Sequence, residues 1–125
     1  MSGVKDFEDL IAWQKARVLT KNIYEATQKE RFGRDFGLAS QIQRASVSIM
    51  ANIAEGFARK NPNEFYHFVS IAKSSASEVR SHLYVGLDIK YITEAEFKQL
   101  IEQTKEVERL VGGLLVSIDC QRRPT

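Results

Sequence analysis

Apolar residues recur every three or four positions along most of this chain, which is the spacing of one face of an α-helix. No stretch alternates apolar and polar residues as a half-buried strand does. The four apolar series are Ala12, Ala16, Leu19, Ile23 and Ala26; Leu38, Ile42, Ala45, Ile49 and Ile53; Phe65, Phe68, Ala72, Ser75, Val79, Leu83 and Gly86; and Phe97, Leu100, Thr104, Val107, Val111, Leu114 and Ile118. The pattern predicts helices over about residues 7–29, 36–58, 62–90 and 94–120.

Each predicted helix is preceded by a residue that can cap it. The side-chain oxygens of Asp6, Asp35, Asn61 and Thr93 can accept bonds from the free amides of a helix start. We expect Gly33 and Gly37 to end the first helix before Asp35 begins the second. Short connections between long helices favour antiparallel neighbours, so we predict an all-α, up-down-up-down four-helix bundle, a single domain over residues 1–125.

Composition describes an ordinary globular protein of 125 residues, with 43% apolar and 27% charged residues. Such a chain can bury a core without disulfides or metal. The lone Cys120 cannot form an internal disulfide or a multi-cysteine zinc site, which fits a reducing compartment. The N-terminus lacks a signal-peptide pattern, and no apolar run reaches the roughly 18 residues of a membrane span. We expect a cytoplasmic protein with no membrane contact.

Several helices carry more apolar residues than one core stripe needs. Trp13, Val18 and Tyr24 flank the first core series, and Leu110 and Leu115 flank the fourth. An exposed apolar patch commonly marks an interface, so these stripes favour self-association. A broad core face on each helix explains the same pattern.

The second helix has an unusual polar stripe, whose neighbours are small or apolar. Its members are Gln41, Arg44, Ser48, Asn52, Glu55 and Arg59, which share one helical face. If the second and third helices form a hairpin with its turn near Lys60, Arg44 faces Glu78, and Ser48 lies near Ser74. The same register places Asn52 near Ser70 and Glu55 near His67.

We name this stripe, together with Glu78, the polar seam, and predict that it packs against another helix. Buried polar groups must be paired, and a satisfied network fixes the register of helices. A seam within one subunit or between subunits fits the pattern, and a ligand-binding or catalytic stripe is the alternative.

Motifs for catalysis are weak, and we predict neither an enzyme nor a metal or other cofactor. Glu64 and His67 have the E-x-x-H spacing of di-iron bundles, but such a site needs a second pair and two further carboxylates. The serine clusters lack an evident base and orienting acid. Gly112 and Gly113 lie inside an apolar helical pattern, which indicates close packing rather than a phosphate loop.

Basic residues suggest a nucleic-acid role. Residues 31–60 contain five basic and two acidic residues, whereas residues 93–120 contain three basic and six acidic ones. In an up-down bundle one end collects Lys5, Arg59, Lys60, Arg122 and Arg123, and the other end carries Arg31 and Arg34. One subunit offers few phosphate contacts, but an oligomer would multiply them.

Two stretches, "SQIQRASVSIMANIAEGFARK" and "EFYHFVSIAKSSASEVRSHL", resemble the 23S rRNA intervening-sequence protein family, sometimes labelled a ribosomal protein. The resemblance spans nearly the whole chain. It implies a four-helix bundle, a homopentamer, and a bacterial-type gene within a transcribed insertion of the large-subunit rRNA gene. Similar bundles serve retroelement reverse transcriptases as nucleic-acid-binding subunits. This chain has Met50 where the family often has proline, so a kink expected there is in doubt.

These observations predict a non-enzymatic homo-oligomer, a pentamer by resemblance, that binds RNA or a nucleic-acid-binding protein through its basic residues. A purely structural protein-protein adaptor is the alternative, and an RNA-processing enzyme is a third.

Overall fold

The computed structural model describes residues 3–122. Its elements are a 3-10 turn (Phe7–Asp9) and the helices α1 (Ile11–Thr27), α2 (Glu30–Arg34), α3 (Phe36–Ala58), α4 (Pro62–Asp88) and α5 (Glu94–Arg122). Helix α3 packs on α1 and α4, and α5 packs on α4 and α1. This is the predicted all-α bundle of four long helices with up-down-up-down topology.

The first helix differs from its prediction at both ends. Leu10 is extended, with φ −75° and ψ 123°, so the Phe7–Asp9 turn is separate from α1. Asp6 and Asp9 close that turn with a reciprocal capping box. After Thr27 the chain passes through Glu30, at a left-handed φ of 44°, and folds into the short helix α2.

Gly33 lies within α2 and does not end the preceding helix, as the sequence had indicated. A Cβ at this position would lie 2.7 Å from the backbone oxygen of Gln28. Only glycine lets α2 fold this closely against the end of α1. The turn inserts Phe32, which is 1% exposed, beneath the α4–α5 connection, where its ring contacts Gly86.

The other helix starts follow the predicted chemistry. Asp35 accepts the Leu38 amide, and Asn61 accepts the amides of Asn63 and Glu64 ahead of a helix that begins with Pro62. Thr93 and Glu96 form a capping box, with donor-acceptor distances of 2.8 and 3.1 Å. These caps satisfy amides that a helix start otherwise leaves free.

The core runs the length of the bundle. The predicted stripes supply it, and its fully buried members include Ile23, Ile49, Val79 and Val111. Burying one such side chain stabilises the fold by roughly 1.5–3 kcal/mol. Of the flanking residues, Leu115 is buried in the core and Trp13 and Leu110 pack against it, whereas Val18 is 51% exposed.

Candidate nucleic-acid interface

Part of the polar seam forms a hydrogen-bond network between α3 and α4. The hydroxyl oxygens of Ser48 and Ser75 lie 2.8 Å apart. Asn52 Nδ2 donates to the Ser48 backbone oxygen at 2.8 Å and to the Ser48 hydroxyl at 2.9 Å. The predicted register is correct to within one residue, since Ser75 takes the place expected for Ser74. Sequence reasoning assigned Ser75 to the apolar series and missed this bond.

The outer members of the seam lie in solvent. Gln41 and Arg44 are exposed, and within residues 3–122 neither side chain has a hydrogen-bond partner. Glu78 contacts His82 Nε2 at 3.4 Å, and Glu55 contacts Arg59, not the expected His67. The expected Arg44–Glu78 contact therefore does not form within one subunit. A contact between subunits stays a prediction.

At the end of the bundle near the α3–α4 turn, Arg59 is held by internal contacts. Arg59 Nε lies 3.0 Å from Glu55 Oε2, and its Nη1 lies 3.3 Å from Glu64 Oε1. The same guanidinium stands 5.0 Å from the Phe68 ring centroid. Arg59, which the sequence predicted to bind phosphate, is therefore already engaged by two carboxylates and an aromatic ring.

Arg122 shows the same behaviour. Its Nε lies 2.8 Å from Asp119 Oδ1, and its guanidinium covers the Tyr66 ring at 3.8 Å. Lys5 and Lys60 are exposed, and Lys60 has a left-handed φ of 55°. Arg123 lies outside the described residues. Of the cations predicted at this end, the two described arginines, Arg59 and Arg122, are each paired with carboxylates.

At the opposite end, Arg31 ties α2 to the α4–α5 connection. Its Nη2 donates to the backbone oxygens of Ile89 at 3.3 Å and Lys90 at 2.9 Å. The guanidinium also stands 5.5 Å from the Tyr91 ring centroid. Arg34 is exposed. Arg31 is thus part of the fold rather than a free anion-binding group.

Tyr91 reinforces this connection through Asp35. The Tyr91 hydroxyl donates to Asp35 Oδ2 at 2.9 Å. The Leu38 amide and the Tyr91 hydroxyl lower the pKa of Asp35, because both bonds favour the charged carboxylate. The same bond raises the pKa of Tyr91, since it favours the neutral phenol.

Helices α4 and α5 carry a group of cations that sequence reasoning missed. We define the basic strip as Lys73, Arg80, Lys105 and Arg109. Arg80, Lys105 and Arg109 line one shallow depression with Glu108. Lys73 lies one helical turn before Ser77, whose hydroxyl donates to Glu108 Oε2 at 3.2 Å, so Lys73 shares this edge.

Glu108 is the carboxylate within this depression, and most of it is covered. Its side chain is 16% exposed, and its Oε1 lies 3.4 Å from Arg80 Nε. Within the described residues this oxygen is buried without a hydrogen bond. Three cations and this one carboxylate line the depression, so the depression is positive, and such a surface attracts phosphate. Glu102 and Glu106 lie one turn before Lys105 and Arg109 on α5, outside the lining.

Two adjacent glycines border the basic strip. A Cβ on Gly112 or Gly113 would have no neighbour within 4 Å, apart from its own helix backbone. The close packing expected from the sequence is therefore wrong at both positions. The α5 backbone is recessed there, beside the side chains of Arg109 and Val116 on the same helix.

The E-x-x-H residues have separate contacts. Glu64 contacts Arg59, and the His67 ring lies 5.5 Å from the Phe68 ring. Within residues 3–122, no three His, Cys, Asp or Glu side chains come together as a metal site would require.

Residues 8–113 match the 23S rRNA-intervening sequence protein family. The chain belongs to this family. A solved structure with the same fold is a protein with unknown function from the S23 ribosomal protein family of Bacteroides thetaiotaomicron. It is 23% identical to this chain, with a TM-score of 0.77 over 84% of this chain and 98% of that one. No curated protein matches.

This member of the family keeps α3 helical through Met50, where the sequence had left a kink in doubt. The described helices include none long and apolar enough to cross a membrane.

Proposed function

We propose that this protein is a non-enzymatic, homo-oligomeric bundle that binds RNA or a nucleoprotein partner through basic residues displayed by the assembly. The basic strip carries the proposal. Its four cations are exposed or half-buried on α4 and α5, and three of them line a depression that contains one mostly covered carboxylate. Phosphate binding by Lys and Arg is electrostatic and grows with the number of contacts, so an oligomer gains from repeating the strip.

Exposed apolar residues on two opposite sides of the bundle support self-association. Val18, 51% exposed, and Ile11, 59% exposed, share the α1 edge of Asn22, which bonds to Gln103 of α5. On the other side, Ile71, 37% exposed, lies one turn before Ser75 of α4, which bonds to Ser48 of α3. Contact between unlike faces of identical subunits can close into a ring.

A ring built in this way leaves the α4–α5 side of every subunit free. The basic strip would then repeat around its circumference. In this arrangement the exposed Arg44 and Glu78 of the polar seam lie at a subunit contact, where Arg44 gains a carboxylate partner that it lacks within one subunit.

Solution mass and RNA titration test the proposal together. Light scattering is expected to give a multimer, and Val18→Glu to lower the mass, because the new charge would be buried at the contact. The control Val116→Glu changes a valine that is 67% exposed on α5, beside the basic strip, and should leave the mass unchanged. A monomeric parent protein, or equal effects of both substitutions, would contradict the ring.

Binding of a structured RNA should weaken steeply between about 50 and about 200 mM salt, as counterion release requires. A protein that binds no RNA at the lower salt is instead the structural adaptor. One observation favours that second function: Arg59 and Arg122 are engaged by carboxylates and rings. Pull-down of a partner that survives nuclease treatment would support the adaptor.

A further inference from the structure

The basic strip has a spacing that bears on the kind of nucleic acid it fits. Lys73 and Arg80 are two helical turns apart on α4, or about 10 Å, and Lys105 and Arg109 are one turn apart on α5, or about 6 Å. Packed helix axes lie roughly 8–10 Å apart. Four cations therefore occupy a rigid patch about 10 Å on each side. A double helix carries a phosphate charge for roughly every 1.7 Å of its axis. Its two strands therefore supply enough phosphates to contact both the α4 pair and the α5 pair of cations.

One exposed aromatic side chain accompanies these cations: Tyr84 is 49% exposed and lies one turn after Arg80 on α4. The side chains between them are those of Ser77 and Glu108, and Gly112 offers none. The nearest tyrosines on the two helices are engaged: Tyr84 packs edge-on against Phe97 at 4.9 Å, and Tyr66 lies beneath the Arg122 guanidinium. Proteins that hold single strands combine cations with aromatic platforms on which bases stack. Beside its cations the strip has the single ring of Tyr84, which Phe97 already engages, rather than a row of rings on which successive bases could stack.

The surface beside the strip is also shaped for a close approach. Gly112 and Gly113 leave open space where other residues would project a side chain. A rigid, convex backbone that bears phosphates can lie against this recess while the flanking cations reach it. Duplex RNA is recognised in this manner, by shape and phosphate contacts rather than by base edges.

From these observations we infer that the basic strip binds the phosphate backbone of a double helix in preference to single-stranded nucleic acid. This inference rests on the proposed function and names the ligand class of its site. The recognition is independent of base sequence, because the strip offers cations and no group positioned to read bases.

Fluorescence anisotropy with three probes tests the inference. The probes are an RNA duplex of about 20 base pairs, a DNA duplex of equal length, and one unpaired RNA strand without self-complementarity. Both duplexes should bind at least roughly tenfold more tightly than the single strand at low salt. Equal binding of the two duplexes identifies the phosphate backbone as the ligand, and a preference for the RNA duplex adds contacts to its 2′-hydroxyls.

The variant Lys73→Gln/Arg80→Gln/Lys105→Gln/Arg109→Gln removes the strip. Duplex affinity is expected to fall by roughly a hundredfold or more at low salt, and the slope of log affinity against log salt to flatten by up to about 4. The matched control Lys15→Gln/Arg17→Gln/Lys21→Gln/Lys29→Gln removes four cations from α1 and the loop that follows it. It should have a much smaller effect. Circular dichroism and light scattering verify that both variants keep the fold and mass of the parent.

The outcomes separate this inference from the proposed function. Equal affinity for duplex and single strand, lost in the strip variant, overturns the duplex preference and leaves RNA binding in place. Equal losses in both quadruple variants overturn the assignment to the strip. Absence of binding by all three probes at low salt overturns the inference and the proposed function together.

Discussion

The basic strip and the end near the α3–α4 turn contain similar charged residues but present them differently. At the turn, Arg59 meets two carboxylates and the Phe68 ring. In the strip, Arg80 is paired with the mostly covered Glu108, whereas Lys73, Lys105 and Arg109 have no ion pair within the described residues. Basic residues become a binding surface only when the fold leaves them without internal partners, since each ion pair already satisfies the charge that a phosphate would meet.

The largest effect expected from a single change concerns two glycines, one in each region. A Cβ on Gly56 would lie 2.8 Å from the Phe68 Cβ and 3.0 Å from the Phe65 ring, where α3 and α4 touch. Gly56→Ala should lower the free energy of unfolding by about 1–3 kcal/mol, because overpacking outweighs the better helix propensity of alanine. Urea denaturation measures this change.

Gly112→Ala is the matched control for that substitution. A Cβ there meets open space, so the alanine should raise the free energy of unfolding by up to about 1 kcal/mol through helix propensity. Equal changes at the two glycines would contradict the described packing. The two substitutions therefore compare Gly56, which is closely packed near the α3–α4 turn, with Gly112, which has open space beside the basic strip.

A smaller effect is expected from the carboxylates. Glu108→Gln removes the negative charge from the strip while an amide oxygen can still accept the Ser77 hydroxyl. Duplex affinity should rise about twofold to fivefold, the size of one partly screened charge interaction. Glu64→Gln removes one of the two carboxylate charges that contact Arg59 and should change duplex affinity much less. If Glu64→Gln strengthened binding as much as Glu108→Gln, the turn end would be part of the interface.

Sequence patterns predicted the helices because each local rule acts within one element. Apolar spacing located the long helices, and Asp35, Asn61 and Thr93 located three helix starts. Gly33 was misread, because its requirement comes from the backbone of Gln28 five residues earlier, which only a folded turn brings near. The separation of the 3-10 turn from α1 was missed as well, because it results from the extended conformation of Leu10.

The candidate site was less accessible to sequence because it combines two helices in a specific register. Residues 93–120 are acidic overall, which hid Lys105 and Arg109 on the edge facing α4. The spacing of Lys73 and Arg80, and of Lys105 and Arg109, was the available signal, but it had no meaning until the register of α4 and α5 was known. The opposite holds at the end near the α3–α4 turn, where the predicted cations Arg59 and Arg122 are not free. Each is paired with a carboxylate one turn earlier on its own helix, Glu55 and Asp119 respectively.

The smallest effect is expected at the opposite end, where Arg31 and Tyr91 join α2 to the α4–α5 connection. Tyr91→Phe removes the bond to Asp35 and should lower Tm slightly, less than Gly56→Ala does, without changing duplex affinity. Because the bond lowers the pKa of Asp35, its stabilisation is present above the usual value of 3.8 and is lost as pH falls through the lowered value. The raised pKa of Tyr91 makes the same contribution disappear as pH rises beyond 10 and through the raised value. Thermal melts across pH should therefore show the parent and the variant differing most at neutral pH and converging at both extremes. A Tm difference that is constant at every pH would contradict the role of the Asp35 bond and mean that the Tyr91 hydroxyl acts by packing alone. A loss of duplex binding in Tyr91→Phe would mean that the nucleic-acid interface includes this end, where Arg31 is bonded to backbone oxygens.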